Sequence, residues 1–136
     1  MRMRLAALGL LSWVASCGSG GGFIDAPAPP PPPDPGTVSA AWTLTDASGN
    51  PKMCSDVNAT TVVVDLKDTT TGASFSAQFP CGLGQAVSGA LPAATYDVRF
   101  YLTGMQGQLA TATMQMGITI QPDMTTPLMP VTFIVF

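Results

Sequence analysis

The chain has 136 residues, 46% hydrophobic and only 10% charged, with five basic residues against eight acidic ones, no histidine and a formal net charge of −3. All eight acids are aspartates, so the chain lacks both histidine and glutamate, the side chains most used as general bases near neutral pH. Histidine-dependent triads, Cys–His dyads and His-ligated zinc are excluded. So few cations cannot neutralise a run of phosphates, which argues against nucleic acid as a ligand, and the length allows one domain and not two.

Residues Met1 to Cys17 divide into a basic start (Arg2, Arg4), a ten-residue apolar run from Leu5 to Val14, and the small residues Ala15 and Ser16 before Cys17. This is the layout of a secretory signal. Ten residues rise only about 15 Å as a helix, half of a hydrocarbon core, so the run is too short for a permanent span. The tetrapeptide Val14-Ala15-Ser16-Cys17 resembles the lipobox of bacterial lipoproteins, with valine where that family usually has leucine. The resemblance implies that residues 1–16 are a removed leader and that the Cys17 thiol carries a diacylglycerol, with its new amine acylated. The first expected partner is then a membrane, held through a lipid anchor. Gly18 stands where an aspartate would imply inner-membrane retention, so the resemblance implies outer-membrane sorting, on the periplasmic face or the cell surface. Read without it, the same residues are an ordinary signal cut near Ser16, with Cys17 a stray thiol.

Residues 17–36 form a tether in this reading. Gly18-Ser19-Gly20-Gly21-Gly22 is flexible coil, and the stretch Pro27 to Pro35 holds seven of the 13 prolines, a composition that favours extended polyproline II. Residues 18–36 reach at most about 60 Å. A proline run can also dock in an aromatic-lined groove, but a lipid neighbour gives it a sufficient role as a spacer.

Residues 37–136 then make one domain with period-two patterning nearly throughout. Val38, Ala40, Trp42 and Leu44 alternate with polar or small neighbours. So do Val62, Val64 and Leu66; Phe75, Ala77 and Phe79; and Tyr96, Val98, Phe100 and Leu102. A longer segment, Leu109 to Ile120, places Ala112, Met114, Met116, Ile118 and Ile120 on one face. A short strand near Gln85 to Ser88 and a final run Val131 to Phe136 complete the set, with Gly, Pro and Asn turn signals between them. The pattern predicts seven strands, no helix, and an all-β antiparallel β-sandwich of immunoglobulin-like or transthyretin-like type. Trp42 reads as core.

The segment Leu91-Pro92-Ala93-Ala94-Thr95-Tyr96-Asp97-Val98 resembles the L-P-x-G-x-Y-x-V signature of transthyretin-like and carboxypeptidase-regulatory-like modules, also found in Cna-B-type domains, with Ala94 in place of the usual glycine. The resemblance implies that Tyr96 and Val98 enter a sandwich core. It also implies a stalk, spacer or binding role, and it is nearly silent on activity. Without glutamate, the isopeptide chemistry of Cna-B domains has no counterpart here.

If lipid takes Cys17, Cys54 and Cys81 remain as an even pair in an oxidising compartment, and a disulfide is the natural reading. Neither lies in a C-x-x-C motif. Asp46 with Asn50, Asp56 with Asn58, and Asp65 with Asp68 could offer oxygens to calcium, but no segment has an EF-hand register and turn-forming roles explain them. Met105, Met114, Met116, Met124 and Met129 could offer thioethers to Cu(I); filling gaps in a core is the commoner use of methionine. No metal, cofactor or catalytic residue is assigned. The run Val131, Phe133, Ile134, Val135 and Phe136 is apolar on both faces, so either the chain covers its second face, the favoured reading, or the strand meets an envelope protein partner. The expectation is a lipid-anchored, non-catalytic structural or binding module. The alternatives are an accessory lipoprotein docked on a larger envelope or secretion assembly through its C-terminal strand and, last, a hydrolase.

Overall fold

Thr37 to Asp46 carry no charge until the final residue and turn Val38, Ala40, Trp42 and Leu44 inward while Thr37, Ser39, Ala41, Thr43 and Thr45 face out. They form strand β1 (Thr37–Asp46), around which a sandwich of two five-stranded sheets is built. The computed structural model describes residues 26–136. Residues 26–35 are exposed and have no regular secondary structure. After β1 come β2 (Pro51–Lys52), β3 (Ala59–Asp68), β4 (Ser74–Pro80), β5 (Gln85–Val87), β6 (Thr95–Gly104), β7 (Gly107–Thr111), β8 (Gln115–Thr119), β9 (Thr125–Pro127) and β10 (Val131–Val135). Two short 3-10 turns lie at Cys54–Val57 and Cys81–Leu83.

In the first sheet β1 is the common partner of every other strand. Antiparallel β5 and β2 pair with its first and second halves, and parallel β9 and β10 do the same on the opposite side. Between β9 and β10 the register against β1 advances by one residue, where Pro127 and Pro130 interrupt the ladder and Leu128 still donates its N–H to the Ser39 carbonyl. The second sheet runs β4-β3-β6, with β7 and β8 both on the free side of β6, and all its pairings are antiparallel.

The inner faces meet in one core. Val38, Ala40, Trp42, Leu44, Val131, Phe133 and Val135 come from the first sheet, and Val62, Val64, Leu66, Tyr96, Val98, Phe100 and Leu102 from the second. Leu91, Ile120 and Leu128 add to it from connecting segments. Gly36 marks where the exposed leading segment becomes fold: its N–H and C=O exchange bonds with Leu91, and a Cβ on it would collide with the Gln121 carbonyl oxygen.

The all-β sandwich agrees with the sequence pattern, while the count and directions of strands differ from it. Among the described residues there are ten strands and not seven, and β1 pairs in parallel with β9 and β10. The added strands β2 and β9 are two and three residues long, below the length at which alternation leaves a signal. The segment Leu109–Ile120 is two strands, β7 and β8, with a bulge in the second: Tyr96 faces Ile118 and Val98 faces Gln115, so Met116 and Gly117 together oppose Asp97. Gly117 supplies the positive φ of 68° that this requires. The bulge exchanges the faces. Before it the inward residue is Gln115, after it Ile118 and Ile120, and Met114 and Met116 turn outward instead of inward.

The C-terminal run is likewise divided by the pleat. Val131, Phe133 and Val135 belong to the core, so as candidate partner-surface residues they are corrected: an extended strand sends alternate side chains to opposite faces, and theirs is the inner one. Ile134 at 50% exposure and Phe136, fully exposed, are left outside, so among the described residues the expectation that the chain covers the second face is also corrected. Adjacent residues should therefore respond differently to truncation: Phe133→Ala should lower unfolding free energy by about 3–5 kcal/mol, and Ile134→Ala by at most about 1 kcal/mol, in urea titrations of matched samples.

Candidate functional site

Cys17 and residues 1–16, the expected leader, lie outside the described residues. Cys54 and Cys81, each opening a 3-10 turn, are joined in a disulfide with a Cα–Cα distance of 6.0 Å. The bridge joins the β2–β3 connection to the end of β4 and is fixed from beneath by Trp42. The Trp42 indole N–H donates to the Cys81 carbonyl at 2.8 Å, and its ring stacks on Phe79 at 6.0 Å between centroids. A buried indole needs such an acceptor. One short stretch thus ties β1 of the first sheet to β4 of the second.

The candidate carboxylates resolve into turns. Asp46 accepts from the backbone N–H of Ser48 and Asn50 and from the Asn50 amide, and pairs with Lys52 at 3.8 Å. The Asn50 amide bond leads in holding its carboxyl below the ordinary range. Asp68 accepts from Thr71 N–H and Thr70 N–H, which lower its pKa likewise. Asp56 accepts from Met53 N–H at 2.8 Å, and Asn58 closes the same turn in the left-handed region. Among the described residues no three acidic or cysteine side chains come together as a metal site. Tyr96 donates its hydroxyl proton to the Pro92 carbonyl at 2.7 Å, a tyrosine corner closing the Leu91–Val98 segment, and burial raises its pKa.

One concavity is formed by residues that the sequence pattern alone did not bring together. The outer face of the second sheet holds an open groove of about 910 Å³, lined by Asp65 and Lys67 of β3, Asp97, Arg99 and Tyr101 of β6, and Met114 and Met116, with the Asp68–Gly72 turn as one rim. Register sets Asp65 opposite Arg99 and Lys67 opposite Asp97, so the charges alternate across two strands. Among the described residues none of these four forms an ion pair, and the one ion pair is Lys52 with Asp46. The Asp97 carboxylate is oriented by the N–H of Gly117 at 3.1 Å. Two of the three basic residues among the described residues, Lys67 and Arg99, therefore face this groove. The polar partners of each alternating strand carried the signal, because Asp65 with Lys67, and Asp97 with Arg99 and Tyr101, are the non-core sets of β3 and β6.

The first sheet presents the opposite character. Its outer face consists of Thr37, Ser39, Ala41, Thr43 and Thr45 with Gln85, Val87, Thr132 and Ile134, and has no charged side chain. Hydroxyl pairs Thr37–Thr125 at 2.8 Å and Thr43–Thr132 at 3.2 Å cross its parallel ladders.

No family model matches the chain, and no curated protein matches it. Among solved structures it is similar to a leucine-rich repeat protein from Bacteroides thetaiotaomicron VPI-5482, at 18% identity over 76% of this chain and with a TM-score of 0.49. The chain covers 14% of that protein's length.

Two outcomes follow from the geometry. Replacing both cysteines by alanine reopens a loop of about 28 residues and should lower unfolding free energy by about 3–4 kcal/mol, read as the urea midpoint with and without the bridge. Asp46 and Asp68 have folded pKa values below their unfolded ones, so their contribution is present above about pH 4 and lost as pH falls through the folded values. Tyr96 acts with the other sign, its contribution being lost above about pH 10. Midpoints should be flat between these limits, and Asp46→Asn with Asp68→Asn should flatten the acid limb.

Proposed function

We propose that the protein is a lipid-anchored β-sandwich module of a bacterial cell envelope, with a structural or binding role and no catalysis. The observation that carries this reading is the cysteine placed two small residues after a ten-residue apolar run with a basic start, in Val14-Ala15-Ser16-Cys17. A Gly/Pro-rich stretch follows, which suits a spacer between an acylated cysteine and a folded domain. Removal of Arg2 and Arg4 with the leader leaves three basic residues against eight acidic ones, a balance that gives anionic headgroups little to attract. Attachment in this reading depends on the acyl chains alone. The missing histidine and glutamate favour binding or support over acid–base chemistry. Outer-membrane placement rests on Gly18 following the cysteine.

The second reading, docking on a larger envelope assembly, is favoured by β10. Among the described residues its ladder partner is β1 alone, with β7 of the second sheet lying near it unpaired, and it presents Ile134 and Phe136 outward without a charged residue from Leu128 to Phe136. Natural edges are usually blunted by lysine, proline or bulges, and β10 has none of these within it.

Cys17→Ser in the native host should abolish incorporation of labelled fatty acid, block leader processing and move the protein out of the detergent phase on Triton X-114 partitioning. Unchanged partitioning would sink the anchored reading. Ile134→Asp with Phe136→Ser leaves the core residues in place and should abolish cross-linked species in intact cells if β10 docks. The stand-alone module predicts no such species in wild type.

A further inference from the structure

We propose that the domain is a sacrificial scavenger of two-electron oxidants, with its surface methionines as the reacting groups and hydrogen peroxide or an alkyl peroxide as the substrate class. Methionine is among the residue types most often buried. All six methionines among the described residues, Met53, Met105, Met114, Met116, Met124 and Met129, are instead exposed, from 37% at Met114 to 94% at Met105. The 19 buried apolar residues of the core include no thioether. The sulfur that does lie there, Cys81, is already in a disulfide, and Trp42, the other readily oxidised side chain, is only 4% exposed.

The chemistry is stoichiometric. A lone pair on the thioether sulfur attacks one peroxide oxygen, an S–O bond forms and the O–O bond breaks. The departing hydroxide takes the remaining proton, so sulfoxide and water (or an alcohol, from an alkyl peroxide) are the products; sulfur loses two electrons and the peroxide gains them. Sulfoxide formation turns an apolar group into a polar one, which disrupts a core but suits an already hydrated site. Each of the six can take up oxygen while the packing of Phe133, Tyr96 and Trp42 is untouched.

Position supports the assignment. The bulge at Gly117 turns Met116 out, to 73% exposure, on a strand whose alternation would otherwise bury it. Met105 lies in the β6–β7 turn, Met124 and Met129 flank β9, and Met53 precedes the Cys54 turn, so the thioethers are spread over several connections. No single ligand gathers them, which fits a reagent that needs access and not a shaped pocket.

The test uses the purified processed protein, which in the proposed reading begins at Cys17 and so lacks Met1 and Met3, mixed with an equimolar single-methionine reporter peptide and one equivalent of hydrogen peroxide. With six sites competing, reporter oxidation should fall about sevenfold relative to the same mixture containing a variant with Gln at all six positions. Excess peroxide should then place one oxygen on each of the six methionines, mapped by mass spectrometry, while the near-UV circular dichroism of Trp42 and Tyr96 is retained. In the native host, the six-site variant expressed at wild-type level should increase killing by peroxide. Equal reporter oxidation with both proteins, a site reacting more than tenfold slower than free methionine, loss of the near-UV signal before all six react, or unchanged killing would each overturn the proposal.

Discussion

Every strand of the first sheet depends on β1. Four short strands, β2 close behind it in the chain and β5, β9 and β10 from farther along, take their ladder bonds from its two edges and none pairs with another. Two to five residues of strand cannot hold a conformation alone, so they exist because β1 offers them a continuous template with an apolar inner face. This constrains the sequence of β1 closely. It must be long and free of proline, and its inner residues must suit two partners each, as Leu44 does between Phe133 and Lys52. The second sheet has more independence, because β3 and β6 are each ten residues long and pair along nearly their whole length.

Trp42 links this template to the other sheet. Its ring lies in the core, its N–H reaches the Cys81 carbonyl and its face meets Phe79, so the disulfide and the aromatic stack reinforce the same junction. On the opposite side Gln115 performs a corresponding closure with polar atoms. Both ends of its buried amide bond the backbone of Met129, imitating a strand partner and tying the start of β8 to the connection before β10. A glutamine in that place costs nothing in unsatisfied groups, since both amide atoms are matched.

The sequence was most legible where strands are long and half-buried. β1, β3, β4 and β6 could be placed from alternation because one face of each is core and the other water, and the partner of Cys54 followed from an even count after Cys17 was set aside. It was least legible where the fold depends on pairing. A two-residue β2 carries no period, a parallel approach of β9 and β10 to β1 leaves no mark in composition, and a one-residue bulge reverses the meaning of every position before it. Met114 and Met116 read inward for that last reason, and Gln115, which reads as solvent-facing, is buried. The groove on β3 and β6 was present in the same alternation that gave the core, but it consists of the residues that such a reading sets aside as the wet face.

The two outer faces differ in what contact with them would demand. Covering the first sheet removes only hydroxyl, amide and apolar side chains from water, and the paired threonine hydroxyls already satisfy one another, so its burial carries little electrostatic penalty. The groove on the second sheet is costlier to dry, because Asp65, Lys67, Asp97 and Arg99 bring charge-bearing side chains to it and none has an ion-pair partner within 4 Å among the described residues to retain once water leaves. What those charges can do at low cost is orient a polar group that stays hydrated. The fold thus separates its surfaces by physical use. The uncharged face and the β10 edge suit contacts that bury area, the alternating charges suit contacts that remain wet, and the β1 template sets the first apart from the second.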